Sequence, residues 1–149
     1  RSRGGLIHDL VFRNITMKDN LCPFVINMYY KCGTDDDTLF SLDKLPVDKS
    51  TPVIHSIEIE GCHGTGSKAS AGMAVGLPEM PIRNVLIRNS SFAVDRETTA
   101  DVNTSDMYRG LPTPPSRGFR LRNIEVKLEN VSIDCEGEKI IEEDGTVLI

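Results

Sequence analysis

The sequence predicts an all-β fold, a parallel β-helix of stacked coils, on three observations. Short apolar-polar alternations recur along the chain, each stops at Asn or Gly, and no stretch carries a helical period. Leu6–Ile15 has relatives in Val53–Cys62, Ile82–Asn89 and Arg122–Val131. Alternation with period two marks a strand with one buried face. Asn and Gly tolerate the left-handed backbone by which a chain turns a corner. About a dozen residues after the first two of these strands come further apolar runs, Phe24–Tyr30 and Gly72–Leu77, so the unit reads as strand, turn, strand. No Asn-Gly hairpin signal separates the runs, which argues for stacking of like strands rather than hairpins. An antiparallel sandwich uses similar short strands, but the repeated Asn ending favours the stack.

The corner positions Asn14, Gly61, Asn89 and Asn130 are unevenly spaced, so long loops are expected over 31–52 and 96–118, where Gly, Pro, Asp, Ser and Thr concentrate. The fourth repeat can also be aligned on Asn123, which leaves its register open. Length favours one domain: 149 residues suffice to bury a core. With 17 Lys and Arg against 22 Asp and Glu, the net charge of −5 argues against nucleic acid as a partner, since binding its backbone needs a positive surplus. No run approaches the roughly 18 apolar residues of a membrane helix, and residues 1–20 lack a signal-peptide pattern, so a soluble chain with no membrane partner is expected.

Chemistry-bearing residues are few. Cys22, Cys32, Cys62 and Cys135 form no CxxC pair and have no His at zinc spacing, so no metal is expected, while two disulfides or four thiols both stay open. Asp35–Asp37 has the look of paired catalytic carboxylates but reads better as a solvated loop. His63-Gly64, within Cys62–Ser67, reads as a plain turn at a strand end. His8 and His55, at matching places in two repeats, read as a stacked or solvated pair. Asn14, Asn89, Asn103 and Asn130 all begin glycosylation-type triplets, and three of them sit at the corner of the repeat, where architecture accounts for them. The acidic run of Glu136, Glu138, Glu142, Glu143 and Asp144 reads as a solvated terminal edge that discourages strand addition.

The runs Arg3–Met17, Cys22–Tyr30, Leu45–Asp48 through Thr51-Pro52, and Ala71–Ile82 together resemble the C-terminal third of bacterial polygalacturonases, family 28 of the glycoside hydrolases. The most specific elements are Gly76-Leu77-Pro78-Glu79-Met80-Pro81-Ile82 and Asn27-Met28-Tyr29-Tyr30. The resemblance implies a right-handed parallel β-helix and inverting hydrolysis of α-1,4 links between galacturonic acid units in pectin or its oligomers, with no cofactor. It also implies that catalysis lies outside this chain. The family's Asn-Thr-Asp, Asp-Asp, His-Gly and Arg-Ile-Lys elements all precede the Arg-Gly-Gly that stands here at Arg3–Gly5, so residues 1–149 are expected to be the C-terminal coils of a single β-helix domain, inactive alone.

One substrate-side residue carries across from the resemblance: an aromatic at the end of the strand after Arg-Gly-Gly. It falls on Tyr30, or on Tyr29 if the register slips by one, with burial as the alternative for either. Arg1, Arg3 and Lys31 lie nearby and offer positive potential to an acidic polymer, or are merely solvated. Expected partners are pectic polysaccharide or oligogalacturonide, and at the N-terminal face either the rest of the same protein or a second copy. A non-catalytic carbohydrate-binding or structural β-helix module is the alternative. Lyase chemistry on such a fold would need calcium-binding carboxylates and an Arg base, which no motif here supplies. Compartment stays open between secreted, periplasmic and cytoplasmic.

Overall fold

The computed structural model describes residues 1–29, 37–101 and 111–149. These residues form eleven β-strands and one 3-10 turn, Asp37–Phe40, and every strand pairing among them is parallel. The chain makes repeated passes through three ladders. The first pass contributes β1 (Leu6–Arg13), β2 (Thr16–Lys18) and β3 (Val25–Asn27); the second contributes β4 (Val53–Glu60), β5 (His63–Ser67) and β6 (Gly72–Val75). In the third, one long strand, β7 (Ile82–Val94), runs through two ladders before β8 (Phe119–Arg122). The fourth repeats this with β9 (Ile124–Asp134) and β10 (Ile140–Glu142), and β11 (Val147–Leu148) returns to pair with the start of β9.

Register follows the repeat found in the sequence. Leu10 and Phe12 of β1 pair with Ile57 and Ile59 of β4, which pair with Val85 and Ile87 of β7. The second ladder joins β2, β5 and the far halves of β7 and β9, and the third is β3-β6-β8-β10. The corner between the first two ladders is one left-handed residue per pass: Asn14 at φ 55°, Gly61 at 61°, Asn89 at 50° and Asn130 at 52°. Since Arg88 pairs with Glu129 and Ser90 with Val131, the fourth corner is Asn130, not Asn123. Asn130 Nδ2 donates to Asn89 Oδ1 at 3.0 Å, so the corners are tied along the stack as well as within each pass. The triplets at Asn14, Asn89 and Asn130 are thus corner architecture, and Asn103 lies outside the described residues.

The unit has three strands, not two. The runs after each first strand, β3 and β6, belong to the third ladder, and the middle strands β2 and β5 had not been expected. His63-Gly64 accordingly lies in β5 rather than in a turn. The described parts of 31–52 and 96–118 hold no strand.

The interior between the ladders is apolar. Phe24, Phe92 and Phe119 pack edge-on and stacked with centroids 4.6–5.9 Å apart, Phe92 and Phe119 being fully buried. Burial is lopsided along the stack. Inward residues of β4, β7 and β9 are buried, whereas every residue of β1 is exposed, Val11 to 52% and Phe12 to 43%. There the core opens into an apolar cavity of about 470 Å³ lined by Leu10, Phe12, Met17, Phe24, Val25 and Ile57.

Candidate functional site

The aromatic expected to face substrate falls at the exit of β3. Asn27 ends that strand by accepting the Tyr29 amide on its Oδ1 at 2.8 Å, while the Met28 amide still bonds to Val75 O at 3.0 Å, so the chain leaves the sheet within two residues. Tyr30, the leading candidate, lies outside the described residues, as do Lys31, Cys32, Asp35 and Asp36. Tyr29 is 1% exposed. The Arg1 guanidinium stands over its ring, 5.2 Å from the centroid. Burial pushes the Tyr29 phenol above its ordinary value; the nearby cations Arg1 and Arg122 pull the other way, and Glu79 and Asp144 add to the rise. It stays a protonated donor at neutral pH. Its Oη, like Arg122 Nε, is buried without a hydrogen-bond partner among the described residues.

Arg1 is not available to an acidic polymer, contrary to the expectation that it might lend positive potential. Its Nε and Nη2 bind the two Glu79 carboxylate oxygens at 2.7 and 2.8 Å, and the remaining N–H groups donate to the carbonyls of Leu39, Ser41 and Asp43. Both side chains are buried, to 4% and 2% exposure. Burial works to raise the Glu79 carboxyl, but the Arg1 hydrogen bond and backbone N–H donors, including that of Leu45, outweigh it and hold the carboxyl below its ordinary value. Leu77-Pro78-Glu79-Met80-Pro81, singled out in the sequence as a specific element, therefore closes over the first residues of the chain and fixes the segment 39–45 at the mouth of this corner.

A second buried ionic group lies along the third ladder. Arg120 forks onto Glu143 at 2.8 and 2.9 Å and also donates to Pro112 O; Arg122 reaches Glu143 at 3.3 Å and Asp144 at 2.5 Å. The acidic run is thus not one solvated edge. Glu143 is half-buried against two guanidinium groups, because the last pass brings it beside Arg120 and Arg122, which alternate with the core residues Phe119 and Leu121 of β8, whereas Glu136, Glu138 and Glu142 are exposed as expected. Sequence inspection also missed Arg117, whose guanidinium donates to the carbonyls of Ser67, Lys68, Ala69 and Asp95 and staples the corner after β5 to the start of β8. Arg120 and Arg122 alternate with Phe119 and Leu121, and by themselves all of these arginines look like surface residues.

The histidines are structural. His8 and His55 stack at 5.2 Å, His8 Nδ1 lies 2.6 Å from Asp9, and His63 Nδ1 lies 2.8 Å from Ser91 Oγ in the next pass. Cys22, Cys62 and Cys135 carry free thiols. Among the described residues no three His, Cys, Asp or Glu side chains converge as metal ligands, and no helix is long and apolar enough to cross a membrane.

On the outer face a line of charge runs across the passes. Arg13 of β1 pairs with Glu60 of β4, Glu60 with Arg88 of β7, and Arg88 lies beside Glu129 of β9 in the register, so the sign alternates at every step. Arg13, at the end of this line, is 53% exposed and also reaches Glu58 at 3.2 Å, so among the described residues both of its carboxylate partners lie on the β4 side. No protein-family model matches the chain, and neither does any curated protein or solved structure.

Proposed function

We propose that this chain forms the C-terminal coils of a right-handed parallel β-helix in a polygalacturonase-type glycoside hydrolase, which splits α-1,4 galacturonosyl links with inversion. The all-parallel, three-ladder stack supports the fold part of this reading, and the open core at β1 is the observation that carries it, because an outermost strand that leaves the apolar interior uncovered fits one portion of a longer column. The hydrolase part rests on the sequence elements around Arg3–Gly5, Asn27–Tyr30 and Gly76–Ile82.

In this reading the general acid, which protonates the leaving oxygen, and the carboxylates that activate water come from coils stacked before β1. Residues of this chain position and shape. Tyr30, three residues beyond the end of β3 in the sequence, is the residue assigned to substrate, its ring offering an apolar face and its hydroxyl a hydrogen bond to sugar. The Arg1–Glu79 pair and the Arg1–Tyr29 contact hold the chain at the exit of β3. The charged partner pairs within this corner are already satisfied by one another, so they serve architecture rather than acid-base chemistry.

The coding sequence upstream of Arg1 tests the proposal. Continuation through Asn-Thr-Asp, Asp-Asp, His-Gly and Arg-Ile-Lys elements supports it; continuation without them points instead to a non-catalytic carbohydrate-binding or structural module. The 149-residue chain incubated with polygalacturonate should release no reducing ends, and turnover by it alone would overturn the assignment of catalysis to other coils.

A further inference from the structure

The strand β1 is the outermost strand of its ladder, paired with β4 on one edge, and its other edge presents backbone groups beside the apolar cavity. An unpaired edge with exposed apolar side chains is a template for another strand. We infer that this edge docks a parallel strand of a further coil whose chemistry the ladder specifies: a carboxylate opposite Arg13, apolar residues opposite Leu10 and Phe12, and Asn, Asp, Ser or Gly opposite Asp9 and Asn14. The inference rests on the stacked-coil part of the reading above and not on its glycosidase chemistry.

Three observations determine that pattern. Charge is the first: the line Arg13, Glu60, Arg88, Glu129 alternates at each pass, so the next member beyond Arg13 is an acid. Apolar complementarity is the second, because inward residues of the docked strand stacked on Leu10 and Phe12 enter the cavity. Backbone conformation is the third. Along the stack the left-handed residues lie side by side, Asp9 at φ 55° by Ser56 at 56°, and Asn14 by Gly61, so a strand that follows β1 must turn left-handed at the same two places.

The same constraints disfavour a second copy as the occupant. A two-fold axis lays β1 antiparallel to its copy. A register that sets Asp9 against Asn14 then puts inward Leu10 against outward Arg13, while a register that sets Leu10 against Phe12 leaves both left-handed residues opposite extended ones. A head-to-tail copy would offer β9, where Val126, Leu128, Glu129 and Asn130 hold the matching places, but β11 already pairs with Glu125 and Val126 and occupies the start of that edge.

The strand β4 satisfies every requirement on the edge of β1 that it already occupies, and a peptide copying Val53–Gly61 is therefore the probe. Titrated into the intact chain, it should give saturable NMR shifts at the amides of Leu10–Asn14. It should bind about two- to fivefold more tightly than the same peptide with Glu60→Lys, the range of an exposed charge pair. In the chain, Arg13→Gln should abolish that preference and Arg13→Glu should reverse it, with circular dichroism confirming unchanged strand content. Equal binding of both peptides, shifts confined elsewhere, or no saturable binding would overturn the inference. Concentration-dependent self-association that protects the β1 amides would also overturn it, in favour of a second copy. None of these outcomes bears on sugar hydrolysis, so docking and glycosidase chemistry fail or stand separately.

Discussion

At Glu79 burial and charge oppose each other, and the Arg1 guanidinium decides the balance. A carboxylate with 2% exposure is tolerable because a two-pronged cation and backbone N–H donors replace its water. Removing the charge leaves Arg1 buried without its counter-ion, although the carbonyls of Leu39, Ser41 and Asp43 still hold its other N–H groups. Glu79→Gln should therefore destabilise the chain by about 3 kcal/mol, the low end for breaking a buried pair, as read from a denaturant midpoint at unchanged slope. The pH dependence has a definite sign. Because the folded-state value lies below the ordinary 4.5, the pair's contribution is complete above that pH and disappears as pH falls through the folded-state value. In Glu79→Gln this part of the acid destabilisation should be absent, and parallel acid unfolding curves for the two proteins would contradict the account.

Strands and corners hold the same lesson at the next scale. At Gly61 the backbone is left-handed at φ 61°, and a Cβ there would stand 2.7 Å from Asn14 Oδ1, the side chain of the corner in the preceding pass. Gly61→Ala combines left-handed strain with that contact and should cost about 1–3 kcal/mol, whereas Asn89→Gly, at an equivalent corner, should cost less because the conformation itself is kept. Thermal unfolding of both variants checks the ordering. In the interior, Phe119 meets Phe24 and Phe92 at full burial, so Phe119→Ala should cost about 3–5 kcal/mol by loss of burial and an unfilled cavity. A smaller loss would mean that the ring cluster relaxes into the space.

The legibility of these elements in the sequence follows from their environment. Strands β4, β7 and β9 alternate because one face meets the core and the other meets solvent, and β1 repeats the pattern with its apolar face on the open cavity, so the pattern and corners were readable, and the side-by-side histidines followed from the register. The middle strands escaped notice because β2 spans three residues and β5 is rich in Gly, too little for a period to appear. In the third ladder β6 and β8 are buried at every position, which erases alternation. Arg120 and Arg122 are buried only because Glu143 and Asp144 arrive 23 and 22 residues later in the next pass, a pairing that local pattern cannot carry. The candidate site was legible by resemblance alone, and of its two aromatics Tyr29 is a packed residue under Arg1 while Tyr30 lies outside the described residues.

For the molecule as a whole, the last pass ends one side of the stack with β10 and β11, and the other side presents β1 and an open core. The proposed function makes the β1 side the junction with catalytic coils and assigns Tyr30 to substrate contact. The most direct measurement is proton NMR of the first products when the protein encoded with its upstream sequence acts on oligogalacturonide. The account predicts β-anomers released at the outset from α-links, and a Tyr30→Ala variant with lowered kcat/KM at a nearly unchanged Tm. Release of α-anomers, an unsaturated product, or no cleavage by the longer protein would contradict it.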